Sequence, residues 1–135
     1  MRLAILADIH GNLPAFEAIL AHIDNQGVDQ IIIAGDIVNG SPDSDACWQL
    51  AQSLNCPIVR GNHERYVFDY GTPNADPSWE TERFSSVHWV VDQLTDDERR
   101  ELASLPMSIQ SPDLPDLLIT HAAPENDQGS IKGYT

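Results

Sequence analysis

Four short apolar runs in this chain each end in a residue able to bind a metal, and no other feature constrains the fold as tightly. Residues 3–7 run into Asp8 and His10. Residues 31–34 run into Gly35-Asp36. Residues 57–59 lead through Arg60 into Gly61-Asn62-His63, and residues 117–120 into His121. Apolar runs that do not alternate read as parallel strands buried on both faces. In open α/β sheets, ligands collect outside the carboxyl ends of the strands. The expected fold class is therefore α/β, with Asp, His and Asn gathered along one sheet edge. Such a cluster implies a metal-dependent hydrolase.

The segments between the runs support crossovers. Asn12 is placed to cap a helix with Pro14 in its first turn. Leu13, Phe16, Ile19, Leu20 and Ile23 fall on one face of it, and Gly27 is expected to end it. Asp8 and Asp36 lie 28 positions apart, which suits a βαβ unit. Asn39-Gly40-Ser41-Pro42 reads as a turn. Trp48, Leu50, Ala51 and Leu54 suggest a second helix, with Pro57 opening the next strand. The stretch 69–79 reads as loop. Phe84, Val87, Val91 and Leu94 mark a further helix. Thr95 with Glu98 forms a capping box for a short one. Pro106, Pro112 and Pro115 interrupt the chain before the last strand, and the segment 125–135 is polar with no closing element.

At 135 residues, one domain spanning 1–135 is expected. Seven basic against 21 acidic residues give a net charge of -14, which argues against a nucleic-acid surface and against anionic membranes. The N-terminal apolar run is too short for a signal peptide or a membrane span, so a cytoplasmic location is expected. Cys47 and Cys56 are too few for a disulfide framework and read as reduced thiols.

The chemistry sits in the run ends. If the segment around Asp8 and His10 is extended, both side chains point the same way and can meet one ion. Asn62 and His63, being adjacent, diverge: Asn62 can offer a neutral oxygen to a metal while His63 faces a substrate. His121 adds a nitrogen ligand. His22 falls off its helix's apolar face and should be exposed, and His88 should serve packing. The aromatic residues Tyr66, Phe68, Tyr70, Trp79 and Trp89 read as core cover more readily than as a substrate wall.

Taken together, Asp8-x-His10, Gly35-Asp36, Gly61-Asn62-His63-Glu64 and His121 resemble the successive motifs of the calcineurin-like metallophosphoesterase superfamily. Ala7-Asp8-Ile9-His10-Gly11-Asn12 is similar to the opening of its small bacterial phosphodiesterase branch, and the resemblance covers positions 1 to about 124. The resemblance implies a β-sandwich flanked by helices and two divalent metal ions, drawn from Mn, Fe, Co, Ni and Zn. It implies that Asp8, His10 and Asp36 hold one ion, and that Asp36, Asn62 and His121 hold the other, Asp36 bridging. It further implies that a metal-activated hydroxide attacks a small phosphate ester, with His63 as the catalytic residue that protonates the leaving oxygen.

Two departures from the family pattern matter. No Gly-His-x-His motif follows His121. The chain is therefore expected to be the N-terminal part of a longer domain, its second sheet incomplete and its exposed edges open to pairing with another copy. That departure also motivates an alternative, a non-catalytic metal-binding or interaction module. The second departure concerns residues 59–64, which resemble the matching motif of Ser/Thr protein phosphatases. Those enzymes carry Asp-Arg-Gly shortly after Gly-Asp, whereas Val38-Asn39-Gly40 stands here, which argues against that substrate class. Arg60 reads as a salt-bridge partner before it reads as a phosphate contact.

Overall fold

The polypeptide builds its first unit as the periodicity demands. In the computed structural model, which describes residues 1–129, strand β1 (Leu3–Leu6), helix α1 (Leu13–Asp24) and strand β2 (Gln30–Ile33) form a parallel βαβ unit. The register runs from Leu3 opposite Gln30 to Leu6 opposite Ile33. Asn12 caps α1, its Oδ1 accepting from the Ala15 N–H at 3.1 Å. Phe16 and Ile23 bury the apolar face, each contributing about 2–3 kcal/mol of transfer free energy. Ile19 lies at the margin of that face and is exposed. The helix closes at Asn25, two residues before the expected Gly27, and Gly27 sits in the connection with φ +59°.

Strand β2 is buried on both faces, and this positions the site. Ile33 belongs to the larger core, with α1, α2 (Ser44–Ser53), α3 (Asn62–Asp69), α4 (Ser85–Gln93) and α5 (Asp96–Ala103) supplying most of its other members. Ile32 and Ala34 face the opposite way and pack with Val59 and Ile119. Ile119 comes from an antiparallel hairpin of β3 (Ser108–Ser111) and β4 (Leu114–Thr120). The layers are therefore helices, a parallel pair and a hairpin. Thr95 and Glu98 form the expected capping box of α5. Two 3₁₀ turns, Pro77–Glu80 and Glu82–Phe84, occupy the long connection before α4.

Four sequence expectations need correction. The strand expected at 57–59 is a single parallel bridge between Ile33 and Ile58. Pro57 has no N–H to extend the ladder, and the Arg60 N–H turns away to the Pro106 carbonyl at 2.8 Å. The last strand is longer than 117–120 and has a partner, β3, that the surrounding prolines concealed. Pro115 is tolerated because the register shifts there, between Gln110 and Ser111. Residues 62–69 are a helix rather than a strand end. Finally, β1 is not buried on both faces: Ile5 is 54% exposed. Leu118 on β4 is 51% exposed. Among the described residues no helix is long and apolar enough to cross a membrane. Cys47 and Cys56 are free thiols. Of the polar segment 125–135, residues 130–135 lie outside the described residues.

Candidate metal centre

The loops that leave β1 and β2 adopt unusual backbone. Asp8, His10, Asp36 and Asn39 have φ of 57°, 51°, 58° and 69°, the left-handed region that non-glycine residues seldom enter. Asp8 and His10 therefore reach a common point without the extended alternation expected of them. The His10 Nε2 lies 3.4 Å from Asp8 Oδ1 and 3.6 Å from Asp36 Oδ2. Hydrogen bonds hold this backbone: the Asp8 N–H donates to Gly35 O and the His10 N–H to Asp36 O. Strain of this kind persists only where surrounding contacts over-determine it, and it concentrates at functional sites.

Helix α3 supplies the other side. Asn62 and His63 are its first two residues, and they diverge as expected, although on a helix start. The Asp36 Oδ1 accepts the His63 backbone N–H at 3.0 Å, so a carboxylate sits at the helix N-terminus. The Asn62 Nδ2 donates to Tyr66 Oη at 3.1 Å, which leaves its Oδ1 facing His121 Nε2 at 3.1 Å. The His63 Nε2 stands 4.0 Å from Asp36 Oδ2, and its Nδ1 contacts the Asn39 amide at 2.9 Å.

His121 follows β4 and enters from the hairpin layer. Its Nδ1–H donates to Ala34 O at 2.7 Å, turning Nε2 to Asp36 Oδ2 at 3.3 Å. His10 is oriented the same way, its Nδ1 bonded to Asn39 O at 2.7 Å. Both imidazoles thus present Nε2 to one buried carboxylate, with the tautomer set by a backbone carbonyl. That is the outer support metal-binding histidines require. Two groups of ligand atoms each lie within 4.8 Å of one another, His10–Asp36–His63 and Asp8–Asp36–His121, and Asp36 belongs to both. The donor set of carboxylates, imidazoles and one amide oxygen fits divalent transition metals.

Electrostatics follow from this crowding. Burial alone would raise the Asp36 carboxyl, but the hydrogen bond from His121 and the His63 N–H outweigh it and hold it below the usual range. His121 rises to about 9, chiefly through its bond to Asp36. Burial pushes His63 down, against the attraction of Asp36.

Glu64 is the residue whose role the motif left unread. It is fully buried. Its Oε2 accepts from the Asp36 N–H at 2.8 Å and from the Gly61 N–H at 2.8 Å. Its Oε1 accepts from Ile37 at 2.6 Å and Val38 at 3.1 Å. One carboxylate therefore satisfies four backbone donors and joins the Asp36 loop to the start of α3. Burial and the Asp36 charge push its carboxyl upward against those donors. Gly61 is required where these segments meet, because a Cβ there would collide with Asp36 Oδ1. Asn39 was also missed; it reads locally as turn material, and only the fold brings His10 and His63 to it. Three other expectations hold in the structure. His22 is exposed. His88 bonds to Trp79 O and stacks on Tyr70. Arg60 pairs with Asp127 at 3.5 Å. Of the aromatic residues, Tyr66 and Trp79 are buried, while Trp89 is 49% exposed.

Comparison with known proteins bears on the family and the fold. The profile described as calcineurin-like phosphoesterase matches residues 1–131. An uncharacterized protein of Methanocaldococcus jannaschii is 32% identical over 110 residues, covering 80% of this chain and 43% of that protein. A crystal structure of a metallophosphoesterase from Sphaerobacter thermophilus superposes with TM-score 0.74 at 30% identity, covering 96% of this chain and 50% of that one. A structure named "putative diadenosine tetraphosphatase" gives TM-score 0.67 at 26% identity, covering 90% and 50%. The chain thus spans about half the length of the proteins it matches.

Proposed function

This chain belongs to the calcineurin-like phosphoesterase family, and from that premise we propose that it hydrolyses small phosphate esters at a two-metal site built on Asp36. The observation that carries the reading is the convergence of His10 Nε2 and His121 Nε2 on Asp36, each imidazole held by a backbone carbonyl at Nδ1. Asp8, His10 and Asp36 would hold one divalent ion, and Asp36, Asn62 and His121 the other. When bound, the ions supply Lewis-acid activation of water and neutralise charge on the phosphoryl group.

The chain's own residues do the rest. Asp36 presents Oδ2 to the Nε2 atoms of His10, His63 and His121, while its Oδ1 accepts the His63 N–H at the start of α3, which fixes its orientation. His63 delivers the proton to the leaving oxygen through Nε2. Asn39 governs the other nitrogen. Its Oδ1 has no partner among the described residues. Turned to the ring, that oxygen accepts Nδ1–H and supports the protonated imidazole that general acid catalysis needs. Phosphodiester and phosphomonoester substrates both suit this arrangement. The excess of 21 acidic over 7 basic residues favours a small substrate over a nucleic acid, and we place the reaction in the cytoplasm.

The test is metal content per chain by mass spectrometry after dialysis against Mn²⁺, alongside hydrolysis of bis(p-nitrophenyl) phosphate and p-nitrophenyl phosphate. The expected result is about two ions per chain with turnover. Asp36→Asn should lose the metal and at least about 100-fold of the activity. Absence of metal and of turnover in both proteins would overturn the reading.

A further inference from the structure

Beside the metal centre lies a second cleft, of about 640 Å³, within the range of small-molecule sites. Arg65, Tyr66, Asp76, Trp79, Arg83 and Gln128 line it. Tyr66 is the wall shared with the metal centre. Its ring centroid is 5.3 Å from that of His63, and its Oη receives the Asn62 amide at 3.1 Å.

The chain has only seven Lys and Arg residues against 21 acids, yet two arginines face this cleft. A smaller cleft, of about 220 Å³, is also lined by two arginines, but there Arg99 is bonded to the Val67, Phe68 and Tyr70 carbonyls and Arg100 is paired with Asp97. Arg65 is fixed in place. Its Nε donates to the buried Asp127 at 2.8 Å and its Nη2 to Gln128 at 3.2 Å. Its guanidinium lies over the rings of Tyr66 and Trp79, 5.2 and 5.8 Å from their centroids. Its Nη1 makes no hydrogen bond with any described residue, so the fixed guanidinium that lines the cleft keeps a free donor. Arg83 is exposed and forms no ion pair with any described residue. The one carboxylate on the wall, Asp76, is occupied by the Ser78 N–H at 2.8 Å. Phosphate and carboxylate are the partners such guanidinium pairs recognise, and a pre-oriented arginine loses less entropy on binding them.

We propose that this cleft binds a second anionic group, a phosphate or carboxylate, carried on the leaving alcohol of the ester. The inference rests on the phosphoesterase reading above and adds the class of ester: one with two anionic ends, the first cleaved and the second held by Arg65 and Arg83. A mono-anionic ester then uses only half of the site.

The experiment compares α,ω-alkanediol bisphosphates of increasing chain length with the matching alkyl monophosphates, by phosphate release from the Mn²⁺-loaded protein. At the length that spans the two clefts, kcat/KM for the bisphosphate should exceed that for the monophosphate at least about tenfold, through KM. Arg83→Gln should abolish that gain, Arg83→Lys should restore part of it, and Arg100→Gln on α5 should leave both the gain and monophosphate turnover intact. An equal rate for both series at every length, or a gain indifferent to Arg83→Gln, overturns the proposal while leaving the phosphoesterase reading in place. Calorimetric titration of the metal-free protein with the bisphosphate separates the two readings further. Binding weakened by Arg83→Gln, with no hydrolysis of any ester, would support the cleft and overturn the catalytic reading.

Discussion

The two sides of the metal centre are built in opposite ways. The strand-end side carries Asp8, His10, Asp36 and Asn39 on backbone with positive φ. The helix side carries Asn62, His63 and Glu64 on the first turn of α3, in ordinary helical backbone. The helix side uses backbone that ordinary residues favour, so it carries no strain of its own. The strand ends hold their geometry only because other segments supply partners: Gly35 and Asp36 carbonyls to Asp8 and His10, and above all Glu64 to three successive N–H groups at residues 36–38. The contrast teaches that one helix both presents side chains to the site and holds the strained side in shape. Adjacent residues divide these tasks, His63 facing the chemistry and Glu64 facing the scaffold.

Removing Glu64 should break that division most severely. Glu64→Ala leaves four buried N–H donors without an acceptor, at about 1–3 kcal/mol for each one that finds no water. A loss on the order of 4 kcal/mol or more is expected in denaturant unfolding, with metal binding lost alongside it. An unchanged midpoint would show that the strained loop supports itself.

His63→Ala should do the reverse. Stability and metal content should stay near those of the parent, while kcat falls by roughly 100-fold or more. Complete loss of metal would reassign His63 as a ligand, which its place with His10 and Asp36 in one group of donors makes worth checking.

Tyr66→Phe is a smaller change. It frees the Asn62 amide to rotate, so metal affinity should drop roughly tenfold with the fold intact. Equal affinities, read by titration with a chromophoric chelator, would mean that His121 alone orients Asn62.

The last effect is absent near neutral pH, lies outside both sides of the site and provides a control. Burial raises the Cys47 thiol to about 11, with Asp43 and Glu17 adding to the shift. The folded chain therefore keeps its proton at pH values where the unfolded thiol, near 9, has lost it. Stability due to this group is full below about 9 and declines as pH rises toward about 11. Cys47→Ser should flatten that alkaline decline, and no difference in slope above pH 9 would contradict it.

Much of the architecture could be read directly from residue order. The α1 face, the Asn12 cap, the β1–β2 crossover and the Thr95–Glu98 box are local patterns, decided within a few turns of chain by side-chain spacing and capping chemistry. They arose where expected. The strand at 57–59 and the solitary last strand did not, because strand identity depends on finding a partner. Residues 57–59 pair with β2 only through the Ile33–Ile58 bridge, since Pro57 has no N–H to extend the ladder, and β3 supplied the last strand's partner across a turn that looked like interruption.

The site divides in the same manner. Residue types and their order around Asp8, His10, Asp36, Asn62, His63 and His121 are properties of the sequence, because a ligand's chemistry belongs to the side chain itself. How those six meet depends on tertiary structure. The positive φ at Asp8, His10 and Asp36, the Asn39 contact with His63, the four donors on Glu64 and the Arg65–Asp127 mount beside the second cleft all join residues distant in the chain. A left-handed backbone or a buried carboxylate costs free energy that no local segment can offset, so neither leaves a local signature. Only the packing of β2 between two cores, with helix α3 closing over its end, makes both stable.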